Sequence, residues 1–255
     1  KMRVASFLEA NAKGLKIKGF CDPEKLYAAV RASDMFDKKL KVYKTSESLE
    51  NESPMIGRVR TFSPGLYERE SCFLHMHYKY LLGLLESGLY DEYYRNMHEG
   101  FVCYMDPSVY GRSVLQNSSF IVSSAGRDKA LVGRGFQPRL TGANAEVISM
   151  VIGMFLGEKL FYMDGGRLCF AFEPKLHASL FDEKGEASFR IFGTTDVVFE
   201  NPEKINTYDG KVVSLRLIPK SGGAKTVDGG VLCGKDAEAL RGGSFARIEV
   251  RIGSR

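Results

Sequence analysis

Hydrophobic and polar positions fall into two textures that meet near residue 160: long apolar stretches before it, short alternating segments broken by Gly, Pro and Asp after it. Residues 24–36, "EKLYAAVRASDMF", follow Asp22 and Pro23, which suit an N-cap and a first helical position, and predict a helix. The polar, unperiodic stretch 45–54, "TSESLENESP", predicts a loop. Residues 69–86 are apolar nearly all round the helical circumference, so they predict a helix buried on most sides, stopped by Ser87 and Gly88. Asp91 is the expected cap of a further helix over 92–105, and residues 143–157 predict another helix apolar nearly all round. From 161 onward "RLCFAFEP", "ASFRIFG", "TDVVFEN", "VVSLRLIP" and "FARIEVRI" alternate with period two, separated by turns such as Asp209-Gly210. This tail predicts an antiparallel sandwich.

Composition narrows the class. With 255 residues, 44% of them hydrophobic, the chain can bury a sizeable core as one large domain or two ordinary ones. Lys plus Arg outnumber Asp plus Glu, 36 against 31, and the basic residues are dispersed. That surplus suits an anionic ligand without demanding nucleic acid. No apolar run approaches the ~18 residues of a membrane helix, and no secretory segment opens the chain. Cys21, Cys72, Cys103, Cys169 and Cys233 lie far apart with no C-x-x-C pair, which predicts free thiols in a reducing, cytoplasmic compartment. Lys1 precedes Met2, which predicts a piece of something longer.

Three stretches carry candidate chemistry. His75 and His77 form an H-x-H, but on a helix two residues apart means about 200° of rotation, so one metal cannot reach both. The same phase puts Glu68, Ser71, His75 and Lys79 on one polar stripe at i, i+3, i+7 and i+11. Carboxylate, hydroxyl, imidazole and ammonium in a line suit a ligand rich in hydroxyls and negative charge; a solvated face is the alternative. Thr141 and Gly142 precede a buried helix whose N-terminus favours an anion such as phosphate, unless Thr141 only caps its own helix. Between residues 110 and 128, Arg112, Gln116, Asn117, Ser118, Ser119, Ser123, Ser124 and Arg127 surround the apolar Phe120–Val122; they could contact phosphate and sugar or only hydrogen-bond a loop. Cys72 near His75 lacks the third group of a nucleophilic triad. No Walker loop, Rossmann glycine fingerprint or G-x-S-x-G is present.

The order of these pieces resembles one family. "YERESCFLH", "LLESGLYDEYY", "DPSVYGRSVLQNSSFIVSS" and "RLTGANAE", followed by a β-rich tail, look like the C-terminal portion of inverting β-glucoside phosphorylases of the cellobiose and chitobiose phosphorylase family, glycoside hydrolase family 94. The likeness spans residues from about 55 to 200 and is nearer to the long β-glucan oligosaccharide phosphorylases than to the disaccharide enzymes. It implies an α+β multidomain fold: over 1–160 the last helices of an (α/α)6 toroid, over 161–255 a jelly-roll-like antiparallel β-sandwich.

The implied reaction is phosphorolysis of a β-linked glucan oligosaccharide to α-glucose 1-phosphate with inversion, phosphate being the nucleophile and co-substrate; no other cofactor and no metal is implied. An aspartate protonates the departing oxygen. By motif His75 and Thr141-Gly142 match phosphate-holding residues and Glu68 a sugar contact. Ser71, Lys79, Arg112 and Gln116 are the further substrate-binding candidates. Two departures stand out. Tyr67-Glu68-Arg69 replaces the Lys-Glu-Asn of the disaccharide enzymes, and the chain has no Trp, so the Asp-Trp-Asn-Asp motif carrying the general acid is absent. The expected partners are therefore the remainder of the same enzyme chain and, by resemblance, a second copy, with no nucleic acid or membrane. Alone, the chain is expected to be inactive. The rival reading is a non-catalytic carbohydrate-binding or assembly module.

Overall fold

The computed structural model describes residues 4–138 and 142–255. In the first of its two units, Lys1–Met150, helices α1 (Leu8–Lys16) and α2 (Pro23–Ala32) precede a small hairpin of β1 (Phe36–Asp37) and β2 (Val42–Tyr43). Asp22 caps α2 by accepting the Lys25 N–H at 3.1 Å, with Pro23 in the first turn. The helix stops short of the apolar pattern because the Ser33 hydroxyl donates back to the Val30 carbonyl, at 2.8 Å, and Phe36 pairs across to Tyr43.

The long apolar stretch does not become one helix. Residues 65–71 turn instead, with Tyr67 at φ 51° and Glu70 at φ 61°, both left-handed. Then β3 (Cys72–Phe73) pairs with β4 (Ser118–Ile121), which pairs in turn with β5 (Gly135–Pro138). Helix α3 (Leu74–Glu86) starts only at Leu74. Left-handed residues cannot continue a right-handed helix, so the predicted start at 69 is five residues early. The rest of the expectation holds: Leu74, Leu81, Leu82, Leu84 and Leu85 are all buried, each contributing roughly 2 kcal/mol of apolar transfer. Gly88, at φ 87°, ends α3, and the Leu89 N–H reaches the Leu84 carbonyl at 3.0 Å. Helix α4 (Tyr90–Gly100) follows, so Asp91 stands in its first turn instead of capping it. A single turn, α5 (Pro107–Tyr110), leads to β4, and α6 (Gly142–Leu156) closes the helical part.

The second unit is Val151–Arg255; it begins inside α6, and its first strand starts at Phe161. The last turn of α6 carries Phe155, stacked 4.9 Å from Phe189. A three-stranded antiparallel sheet has the order β12 (Val231–Cys233), β7 (Arg167–Ala171), β6 (Phe161–Asp164). A five-stranded sheet runs β11 (Lys225–Asp228), β10 (Gly210–Pro219), β13 (Phe245–Ser254), β9 (Thr195–Glu200), β8 (Glu186–Ile191). Helix α7 (Lys235–Arg241) connects β12 to β13. The large sheet departs from the all-antiparallel expectation because β13 runs parallel to β9, Arg247 opposite Asp196 through Arg251 opposite Glu200.

The expectation of five free thiols is also corrected. Cys169 on β7 and Cys233 on β12 sit opposite each other, 4.1 Å apart at Cα, and form a disulfide. Strand register, invisible in the spacing of cysteines along the chain, brings them together. Cys21, Cys72 and Cys103 are free. Among the described residues no helix is long and apolar enough to cross a membrane.

Candidate functional site

Helix α3 sends its two histidines in different directions. His77 is fully buried, and its Nδ1 accepts the Tyr43 N–H at 3.3 Å. Its Nε2 lies against the Gly100 backbone, where an added Cβ would stand 2.7 Å away. Burial pushes this imidazole down to about 4, partly opposed by the Gly100 backbone. A neutral ring wedged against backbone holds α3, α4 and β2 together.

His75 is different: its side chain is 30% exposed, and Nε2 lies 3.4 Å from Oε1 of Glu146 in α6. Gly142, the first residue of α6, lies under the ring, so that an added Cβ would come within 2.4 Å of Nδ1. Only glycine permits this approach. His75 and Gly142, two of the predicted phosphate-holding residues, are thereby brought together at the N-terminus of a 15-residue helix, where the backbone dipole favours an anion. The third, Thr141, lies outside the described residues.

The predicted polar stripe survives only in part. His75 and Lys79 share a face of α3, and Lys79 Nζ lies 3.7 Å from Glu9 of α1. Glu68 and Ser71 precede the helix, so helical phase does not relate them to His75. Ser71 is buried and its hydroxyl donates to the Tyr67 carbonyl. Glu68 is partly exposed and paired with Arg58, Nη2 to Oε1 at 3.1 Å. The reason is again the pair of left-handed residues at 67 and 70.

In the 110–128 stretch several polar side chains brace the loop. The Ser123 hydroxyl donates to the Glu70 carbonyl, and Ser124 donates to Asp37 through both N–H and hydroxyl, at 2.7 and 2.8 Å. Arg112 is half-buried and Gln116 exposed. Asn117 connects the site to its support: it accepts from the Tyr78 hydroxyl at 3.1 Å and donates to Asn144 of α6 at 2.7 Å. The sequence reading did not select Asn144 or Glu146, since both lie inside an apolar helical run and no spacing marks them.

Two further residues were also missed. Asp37 is buried and accepts from Lys39 N, Leu40 N and both Ser124 donors. Arg69, its side chain 5% exposed, donates to the Arg60 and Phe62 carbonyls, each at 3.0 Å, and to Glu50 at 2.6 Å. Cys72, beside this cluster, is fully buried; burial, reinforced by Asp37, raises its thiol well above the ordinary range, the opposite of an activated nucleophile. Among the described residues no group of three His, Cys, Asp or Glu could hold a metal. No protein-family model matches the sequence, and no curated protein matches it.

Proposed function

We propose that the chain is the C-terminal portion of an inverting glycoside phosphorylase acting on β-linked glucan oligosaccharides, and that His75 and the Thr141-Gly142 pair hold the attacking phosphate. The observation that carries this is the His75 ring seated on Gly142 at the start of α6. An imidazole that can donate a hydrogen bond and a helix N-terminus face one place, as an anion requires. Glu146 steadies the ring from its Nε2 side. On this reading a phosphate oxygen bonds to the anomeric carbon, the glycosidic C–O bond breaks, and an aspartate outside this chain protonates the departing oxygen. Glu68, with Arg58 beside it, contacts a sugar hydroxyl.

The toroid and sandwich architectures, the cytoplasmic location and a homodimer belong to the same proposal. Helix α6 is consistent with packing against more protein, because it is apolar nearly all round and yet leaves Ile148 61% exposed.

Phosphate titration followed by NMR of the His75 ring tests binding without the missing acid. Saturable shifts of His75 that Gly142→Ala abolishes are expected; an unresponsive His75 would sink the reading. The isolated chain should release no glucose 1-phosphate from glucan oligosaccharides, and measurable turnover would show the acid to be misplaced.

A further inference from the structure

A cleft of about 600 Å3 in the first unit has a lining that includes Asp34, Asp37, Lys38, Lys39, Lys44 and Glu70, and none of the residues proposed above to hold phosphate. Most of its charge is accounted for. Asp37 accepts from four donors of Lys39, Leu40 and Ser124. Asp34 Oδ2 accepts from Lys44 Nζ at 3.0 Å and Ser48 N at 3.1 Å.

Glu70 is the exception. Its side chain is only 6% exposed, and among the described residues its one ion pair is with Arg69 Nε at 3.6 Å, longer than a hydrogen bond. The other nitrogens of Arg69 are committed to Arg60, Phe62 and Glu50. Among the described residues its carboxylate accepts no hydrogen bond and opens on the cleft, and it sits on a residue at φ 61°, where glycine would be the comfortable choice. At the same cleft Lys38 and Lys39 are exposed, and neither ammonium is paired among the described residues. The fold thus leaves a carboxylate acceptor with room for further hydrogen bonds, and two cations without an ion-pair partner among the described residues, on one concave surface.

We propose that this cleft is a second ligand site, for a small hydroxyl-rich anion of the sugar-phosphate class. Glu70 accepts hydrogen bonds from the sugar hydroxyls, and Lys38 and Lys39 hold the phosphate. Bare phosphate would gain the lysines but be repelled by Glu70, whereas a neutral sugar would leave the lysines unmatched. An amine would gain Glu70 but leave Lys38 and Lys39 unmatched. The volume suits a hexose phosphate. The inference does not depend on the phosphorolysis reading.

The test is calorimetric titration of the 255-residue chain carrying His75→Ala, so that the other site does not contribute, with glucose 6-phosphate, glucose 1-phosphate, glucose and inorganic phosphate in turn. Hexose phosphates should bind more tightly than glucose or phosphate, the preferred isomer identifying the hydroxyl pattern. Glu70→Gln should weaken binding about tenfold or more, as expected for a charge-assisted hydrogen bond, and Lys38→Ala with Lys39→Ala should weaken it and flatten its salt dependence. Glu70→Gly separates function from folding: it should raise the unfolding midpoint while abolishing binding. Absence of binding, equal affinity for glucose, or affinity unchanged in Glu70→Gln would each overturn the proposal.

Discussion

Removing the Cys169–Cys233 crosslink should take away a large part of the stability of the second unit. The two cysteines are 64 residues apart, and closing a loop of that length lowers the entropy of the unfolded chain by about 14 cal/mol/K, or about 4 kcal/mol at room temperature. That is a large share of the roughly 5–15 kcal/mol that usually separates folded from unfolded protein. The bond pins β12 to β7, and it ties down the strand that leads through Gly234 into α7. Cys169→Ala with Cys233→Ala is the appropriate variant, because Cys169 is fully buried and serine would strand a hydroxyl there. Unfolding in urea should be followed by circular dichroism, since the chain has no tryptophan to report by fluorescence. The midpoint should fall sharply in the variant, and to a similar extent in the wild type after reduction. Denatured, unreduced protein should show three reactive thiols, Cys21, Cys72 and Cys103. Five reactive thiols, or a midpoint indifferent to reductant, would refute the reasoning.

Other consequences are open to measurement. Folding lowers the His77 pKa from 6.5 to about 4, so the unfolded chain binds more protons between those values. Stability should therefore be complete above the upper value and fall by about 3 kcal/mol as pH drops toward the lower one; His77→Leu should flatten that slope in denaturant titrations whatever its own stability. Gly142→Ala would put a methyl 2.4 Å from His75 Nδ1, so ring NMR should show His75 displaced and phosphate affinity lost, with unfolding cost below that of the disulfide variant. Asp37→Ala removes the acceptor of four hydrogen bonds; about 3 kcal/mol of stability should go with it, and an unchanged urea midpoint would contradict that role.

The helices announced themselves, α2 through its Asp22–Pro23 start, α3 and α6 through their apolar runs, but the expected burial holds for the body of α3 and not for α6, where only Ala143, Met150, Met154 and Leu156 are buried. What stayed hidden depended on backbone handedness or on partners distant in sequence. Tyr67 and Glu70 adopt left-handed conformations although neither residue type advertises one, and the extra turn they make removed Glu68 and Ser71 from the helical stripe. The parallel pairing of β13 with β9 and the meeting of Cys169 with Cys233 are matters of register between segments tens of residues apart, on which local alternation is silent. The separation of His75 from His77 was legible because it follows from helical phase alone. Glu146 and Asn144 were not, because their significance lies in His75 of α3 and Asn117, just before β4, which the fold brings toward them.

Arg69 has one more consequence. Its guanidinium reaches Glu50, the Arg60 carbonyl and the Phe62 carbonyl at once, so it works as the central rivet of the strap that those residues bound. Lysine, with one compact ammonium, cannot span three such acceptors. In Arg69→Lys the strap keeps only its outer ties, Ala5 N–H to Glu52 and Arg58 to Glu68, so its amides should lose hydrogen-exchange protection while those of α3 keep theirs.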